Sequence, residues 1–355
     1  VKKNPSGDGA GKRRLRSLAV PAAGTIASIL TVASVVFLVV LTLVRGPRNL
    51  SVQAQEKNAP IQPPAVGQTL TTRPAALPSD STMVRLATWN VRDCAAWDDA
   101  SKTRIPLHDY VARSIKEARV DIVVLEEIQS DQAKGGDIAL LSVALAKEGW
   151  AMPFVAVVNA KGEDDLAIFS RYKIEESGSV IKPASGDPWP REGIFASIDL
   201  GGISLDVYGF HFKAMGDAES EKTRRAQAKA IGNHLFSFYG ESLLTKPIVL
   251  AGDFNTANAS DFLEKNSTLS ALRLTDDTIK ANDFLDANYQ FRRTDPTFVD
   301  SRYASILDHL FLSPALSGAM DKSHVEIREP VPGPGKIPVS DHRIVLAELT
   351  LPPAR

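Results

Sequence analysis

One cysteine, Cys94, is all the chain has. A single thiol excludes an intramolecular disulfide framework and any multi-cysteine zinc site, so cysteine usage points neither toward nor away from an oxidising compartment. An excess of charge of one sign is also missing: 41 Lys and Arg meet 42 Asp and Glu, for a formal net charge of -1. The balance is uneven along the chain. Residues 1–83 hold 10 basic and 3 acidic side chains and the remainder 31 and 39, so a basic tail precedes an acidic body. Such a body exerts no global attraction on nucleic acid, and polyanion binding there has to rest on metal ions and local basic patches. No internal repeat and no Gly-x-Ser-x-Gly elbow occurs. Gly7–Lys12 lacks the glycine spacing and the preceding strand of a phosphate-binding loop.

Long apolar runs are also scarce, with one exception. Ala22–Val44 is uncharged over 23 residues, about 35 Å of helix at ~1.5 Å per residue, enough to cross a ~30 Å hydrocarbon core. Lys2, Lys3, Lys12, Arg13, Arg14 and Arg16 precede it and only Arg45 and Arg48 follow closely. That bias predicts a single-pass membrane helix over 22–44, the basic tail 1–21 in the cytoplasm and the rest outside, periplasmic or extracellular. Val52-Gln53-Ala54 resembles a cleavage site, but the run exceeds the ~7–15 residues of a signal-peptide core, so an uncleaved anchor is expected. Residues 45–83, with Pro60, Pro63, Pro64, Pro74 and Pro78, read as a flexible Pro-rich linker.

From 84 to 355 the chain has the composition of a globular domain, within an overall 44% hydrophobic and 23% charged residues. Short runs rich in Val, Ile and Leu predict strands over Val84–Val91, Asp121–Ile128, Leu166–Ser170, Ile194–Asp199, Ser204–Phe212, Pro247–Ala251, Ile306–Leu312 and Arg343–Leu349. Helices are expected over Leu107–Ala118, Ile138–Glu148, Glu219–Phe238 and Ala259–Asn266. The mixture predicts an α/β or α+β domain.

These apolar runs repeatedly end in a polar group. Leu86–Trp89 leads into Asn90, Ile122–Leu125 into Glu126-Glu127, and Leu205–Phe210 into His211. Ile248–Ala251 leads through Gly252 into Asp253-Phe254-Asn255, Ile306-Leu307 into Asp308, and Ile337–Ser340 into Asp341-His342. If the strands share sheets with these ends on one side, carboxylate and amide oxygens converge with imidazoles, which suits a hard cation such as Mg²⁺ or Ca²⁺ and proton transfer beside it. Taken singly, each piece is equally a strand-edge or helix-capping residue.

In order along the chain stand TWNV (Thr88–Val91), LEEI (Leu125–Ile128), LAIFSR (Leu166–Arg171), HFK (His211–Lys213), GDFN (Gly252–Asn255), LDHLFLS (Leu307–Ser313) and SDH (Ser340–His342). This series resembles the endonuclease/exonuclease/phosphatase superfamily, the deoxyribonuclease-I-like proteins, over about Val84–Leu351. The resemblance implies a four-layer α/β/β/α sandwich of two packed mixed β-sheets with outer helices and the active site at one end. It also implies a divalent-metal-dependent phosphodiesterase using Mg²⁺, with Mn²⁺ or Ca²⁺ as alternatives.

By the same resemblance Glu127 is a metal ligand, with Asn90 in the metal and phosphate shell and Asp341 a further ligand. Glu126, at a position often Gln in relatives, is secondary. Asp253 orients or deprotonates the attacking water, and Asn255 contacts the phosphate. His342 is the catalytic imidazole, with Asp308 fixing its tautomer. His211 is the second imidazole at the departing oxygen, paired with Asp164 or, next to it, Asp165. Arg191 resembles an arginine that contacts substrate phosphate, although Gly193 stands where that segment has proline.

Nucleic acid is the expected substrate, favoured by HFK, by the His211–Asp164 pairing and by the basic helix that follows. Phospholipid head groups or inositol phosphates are the alternative. A non-catalytic module is disfavoured by the intact polar positions, and no obligate protein partner is implied. Lys222, Arg224, Arg225 and Lys229 read as a solvated helix face or a phosphate-contacting patch. His108, His234 and His324 read as surface residues, His309 as facing away from Asp308, and Cys94 as a buried or half-buried thiol.

Overall fold

The computed structural model describes residues 82–98, 101–130, 136–158, 165–180, 192–318 and 320–351. The expected basic tail, membrane helix and nearly all of the linker lie outside the described residues, as do Asp164 and Arg191. Among the described residues no helix is long and apolar enough to cross a membrane.

The strands come in two groups. The first is β1 (Thr82–Asn90), β2 (Ala95–Asp98), β3 (Thr103–Pro106), β4 (Ile122–Ile128), β5 (Phe154–Val158), β6 (Asp165–Ser170), β7 (Lys173–Val180) and β8 (Gly193–Asp199). The second is β9 (Ser204–His211), β10 (Ile248–Asp253), β11 (Leu285–Asp286), β12 (Phe298–Val299), β13 (Ala304–Ser305), β14 (Asp308–Leu312), β15 (Val325–Arg328) and β16 (Ile344–Leu351). Three long helices, α1 (His108–Glu117), α2 (Asp137–Lys147) and α3 (Ala218–Tyr239), are joined by the short α4 (Thr268–Leu272), α5 (Ala287–Phe291) and α6 (Pro314–Ser317).

Two six-stranded sheets result, in the orders β15-β16-β1-β4-β6-β5 and β11-β14-β10-β9-β8-β7. Each is mixed, with one parallel pair: β1 with β4, and β9 with β10. Every other neighbour within these sheets is antiparallel. Parallel neighbours need a crossover, and α1 and α3 supply helices for the two.

Side-chain alternation explains the layering. Along β1, Val84 and Leu86 enter a core shared with Ile194, Val207, Val249 and Leu310 of the second sheet. Ala87 and Trp89 point the other way, into a cluster with Val111 and Ile115 of α1 and Leu141 and Leu145 of α2. On the far side of the second sheet, Tyr208, Phe210 and Leu250 pack against Ala228, Ile231 and Leu235 of α3. The order is therefore helix, sheet, sheet, helix.

One expected helix is not there. Asn258 and Asp261 form a capping box that opens Ala259–Asn266, but only a 3-10 turn over Ala259–Phe262 forms before Leu263 becomes extended. Asp261 is committed elsewhere, to the buried guanidinium of Arg224 at 2.9 and 3.3 Å. That pair also settles the basic cluster on α3. Arg224 is fully buried and donates to the carbonyls of Lys213 and Met215 as well, so it anchors the chain after β9 and is neither solvated nor a phosphate contact.

The sheets approach closely at Gly209. A Cβ there would stand 2.6 Å from both Ile194 and Val124, the latter on the opposing sheet. Gly209→Ala should therefore destabilise the domain by about 1–3 kcal/mol through overpacking. Urea unfolding measures this, and an unchanged midpoint would mean that the sheets separate without cost.

Candidate active site

The parallel pairs set where the polar groups go. Asn90 and Glu126-Glu127 stand at the C-terminal end of the β1–β4 pair, and His211 and Asp253 at that of β9–β10. Asp308 opens the antiparallel β14 in register with Asp253, and His342 lies just before β16. Six of the motif-bearing ends thus meet at one mouth between the sheets.

Asp253 is its centre. Its Oδ2 receives the Asn90 amide at 3.3 Å and stands 3.6 Å from His211 Nε2 and 3.8 Å from His342 Nε2. Its Oδ1 accepts the Asn255 backbone N–H at 2.9 Å. The GDFN turn explains how so short a segment does this. Gly252, at φ 152°, passes so close to the Phe210 carbonyl that a Cβ would fall 2.0 Å from its oxygen. Phe254 is a fully buried anchor with its ring against Phe212 and Phe311 at 4.9 and 5.2 Å. Asn255 then turns left-handed at φ 50°, a region asparagine tolerates, and its side-chain amide donates to the Phe212 carbonyl at 3.1 Å.

Glu127 reaches the mouth by a bulge. Its φ of 52° interrupts the β4 ladder between Glu126 and Ile128, and its Oε1 lies 3.0 Å from Asn90 Nδ2 and 3.9 Å from His211 Nε2. Such a backbone angle costs on the order of 1–3 kcal/mol for an ordinary side chain and clusters at functional sites. Glu126 faces inward, fully buried, and accepts the Thr88 hydroxyl at 2.6 Å. Burial pushes its carboxyl well above the usual range despite that hydrogen bond.

His342 is held on every side. Both Asp308 oxygens lie within 3.0 Å of its Nδ1. Ser340 Oγ accepts its backbone N–H and donates to the Asn90 carbonyl, Trp89 donates its indole N–H to the His342 carbonyl, and Phe298 packs edge-on at 4.9 Å. Burial alone would lower its pKa, but the Asp308 and Asp253 carboxylates outweigh it and raise the imidazole to about 10. Asp253 is itself pushed up to about 7 by burial, against the opposing charge of His342.

Two of the expected residues are engaged by other partners. Asp341 pairs with Arg92 at 3.6 Å on the rim. Asp165 accepts from the backbone and hydroxyl of Ser130. Behind the site, His309 faces away from Asp308 as expected: it is buried, with Nδ1 2.8 Å from Asp286 and Nε2 2.9 Å from Thr256, so it props the segment after Asn255. His234 is partly buried against Tyr208 and Phe238 instead of solvated, and burial lowers its pKa. Ser340 and Trp89, which lie in SDH and TWNV, were not expected as positioning groups; nor were Thr297, whose hydroxyl accepts the Asp308 N–H, and Asn288, whose amide donates to the Asp308 carbonyl, neither of which lies in a motif.

The donor set suits a divalent ion. Glu127, Asp253 and Asn90 gather oxygen and amide groups, and Asp253, Asp308 and His342 each present one candidate ligand atom within 4.8 Å of the others. Carboxylates whose ionised form burial disfavours gain most from a nearby cation.

Comparison with known proteins places the fold. The model of the Endonuclease/Exonuclease/phosphatase family matches residues 87–342, and the chain belongs to that family, whose members are metal-dependent phosphoric ester hydrolases. A search of curated proteins finds no match. Among solved structures, a truncated TDP2 from Caenorhabditis elegans aligns at 15% identity over 75% of this chain and 97% of its own, with a TM-score of 0.53. An endonuclease/exonuclease/phosphatase protein from Bacteroides vulgatus aligns at 21% over 76% and 99%, with a TM-score of 0.53. The 3' phosphatase NExo from Neisseria, bound to product DNA hairpin, aligns at 19% over 75% and 99%, with a TM-score of 0.50. At these identities the likeness is one of fold.

The buried carboxylate has a pH signature. The Asp253 pKa is raised from 3.8 to about 7, so its contribution to stability is complete below the unfolded value and is lost as pH rises through the folded one. With metal chelated, Asp253→Asn should be more stable than the parent by about 0.5–2 kcal/mol near pH 8, and the gap should close toward about pH 4. Thermal unfolding with EDTA reads this directly. A variant less stable at both pH values would show that the ionised carboxylate is net stabilising.

Proposed function

We propose that this chain is a metal-dependent phosphodiesterase that hydrolyses DNA or RNA, held outside a membrane by residues 22–44. The observation that carries the catalytic reading is the convergence of two imidazoles, one from β9 and one from the loop before β16, on one oxygen of Asp253. Asp253 orients a water and takes its proton as the general base. His342, kept protonated by Asp308, meets the charge that develops on the phosphate. His211, on the far side of Asp253, donates to the departing oxygen, and Asn255 binds a non-bridging oxygen. Glu127, with Asn90 and Asp341, would hold a divalent ion, Mg²⁺ foremost and Mn²⁺ or Ca²⁺ otherwise. Such an ion neutralises phosphate charge and stabilises the leaving oxygen.

Nucleic acid is favoured by the ground beside Asn255. A hollow of about 480 Å³ is lined by Thr256, Asn258, Phe262, Arg293 and Pro296, among others. An aromatic ring and a guanidinium next to a phosphate site suit stacking and backbone contact with a nucleotide. The fold likeness to NExo, described with product DNA hairpin, supports the same reading. Asp164 and Arg191 keep their proposed roles beside His211 and the phosphate. The membrane anchor rests on the 23-residue uncharged run and its charge flanks.

Metal-loaded protein should cleave plasmid DNA or RNA. Asp253→Ala and His342→Ala should each lose about 10²–10⁴-fold in kcat while remaining folded by circular dichroism. Retained turnover in either variant would overturn the site. Release of phosphate or head group from inositol phosphates or sphingolipid, with nucleic acid intact, would move the substrate to the lipid and inositol class and leave the site standing.

A further inference from the structure

A second cluster of metal-ligating side chains lies on the other face of the first sheet. Cys94 closes the turn after β1, His108 begins α1 and Asp137 begins α2, and one candidate ligand atom from each lies within 4.8 Å of the other two. His108 Nε2 is 2.8 Å from Asp137 Oδ1, while Asp137 Oδ2 accepts the backbone N–H of Gln129 at 3.0 Å. Cys94 is fully buried in the apolar cluster beneath α1, and among the described residues its sulfur makes no hydrogen bond. The sequence reading expected His108 at the surface; its side chain is 11% exposed.

We propose that Cys94, His108 and Asp137 form a site for a thiophilic divalent cation, Zn²⁺ or Co²⁺, separate from the oxygen-rich site at the mouth. A thiolate, an imidazole and a carboxylate are a common zinc donor set, with bonds of about 2.0–2.3 Å that place ligand atoms roughly 3–4 Å apart. The cluster is already close to that spacing. Binding releases the Cys94 proton to solvent as the metal–sulfur bond forms, and one thiolate plus one carboxylate then balance the dication in an apolar setting. Soft sulfur selects such ions over Mg²⁺. A nucleophilic Cys-His-Asp triad is the rival chemistry and fails here, because the sulfur has no contact with solvent and burial pushes the thiol up. Among the described residues the cation facing the cluster is Arg104, 4.0 Å from Asp137 Oδ2, half-exposed and donating to the Asp93 carbonyl.

The turn that holds the site is unusual. Arg92, Asp93 and Cys94 all adopt left-handed φ, at 47°, 57° and 48°, and the Arg92 N–H donates to Asn90 Oδ1. A metal joining Cys94 to α1 and α2 would fix the chain directly behind Asn90 and, through Gln129, behind Glu127.

The lone cysteine makes the test clean, since a thiolate-to-cobalt charge-transfer band can come only from Cys94. Co²⁺ is titrated into the full chain with excess Mg²⁺ present. A band saturating at one ion per chain is expected in the parent protein and in Asp253→Asn, and its loss in Cys94→Ser. His108→Gln and Asp137→Asn should weaken binding by roughly tenfold or more. No band in the parent protein at saturating Co²⁺ overturns the proposal, whether or not the variants fold. A band that both variants leave unchanged reduces the site to sulfur alone and overturns it equally.

Discussion

Three carboxylates, Glu126, Asp253 and Asp308, are buried at the seam between two sheets, and they cannot all carry charge without compensation. Isolated ions in a low-dielectric setting are too costly to persist. Each therefore receives a different answer. Glu126 accepts the Thr88 hydroxyl while burial raises its carboxyl above the usual range, Asp308 is matched to the imidazolium of His342, and Asp253 is left shared among Asn90, His211 and His342. The incompletely matched member stands where cation and substrate would arrive. The surrounding architecture, with its bulge at Glu127 and left-handed Asn255, serves to keep these groups close while their charges resist it.

The two sheets share the work unequally. The second contributes His211, Asp253 and Asp308, the first Asn90 and Glu127, and the loop before β16 brings His342 across to Asp308. No element carries a complete set. Activity therefore depends on the distance between layers, which the close approach at Gly209 helps to fix.

Much of this was legible in the sequence because β-strands announce themselves by apolar runs and the site residues sit where those runs stop. Each of the eight expected strands has a counterpart, and so have the three long helices. What could not be read was conformation set by partners far along the chain. β7 alternates poorly because it is an edge strand, and β5 and β15 are short edges too. Ala259–Asn266 opens with a capping box as a helix would, yet only a 3-10 turn forms and Leu263 is already extended. Arg224 itself looks like a surface residue until its two carbonyl partners and Asp261 are seen around it. The inward turn of Glu127 depends on a single backbone angle, for which no residue type in LEEI gives warning.

The position of β16 has a further consequence. It is the last strand of the domain in chain order, yet it lies between β15 and β1 in the interior of the first sheet. His342 sits immediately ahead of it. A growing polypeptide that has made Asn90, Glu127, His211, Asp253 and Asp308 thus possesses nearly every polar group of the site and still lacks the imidazole and the strand that joins it to β1. The topology works as a delay. Hydrolytic competence arrives with closure of the fold, so a half-made chain is silent toward any phosphoric ester it meets.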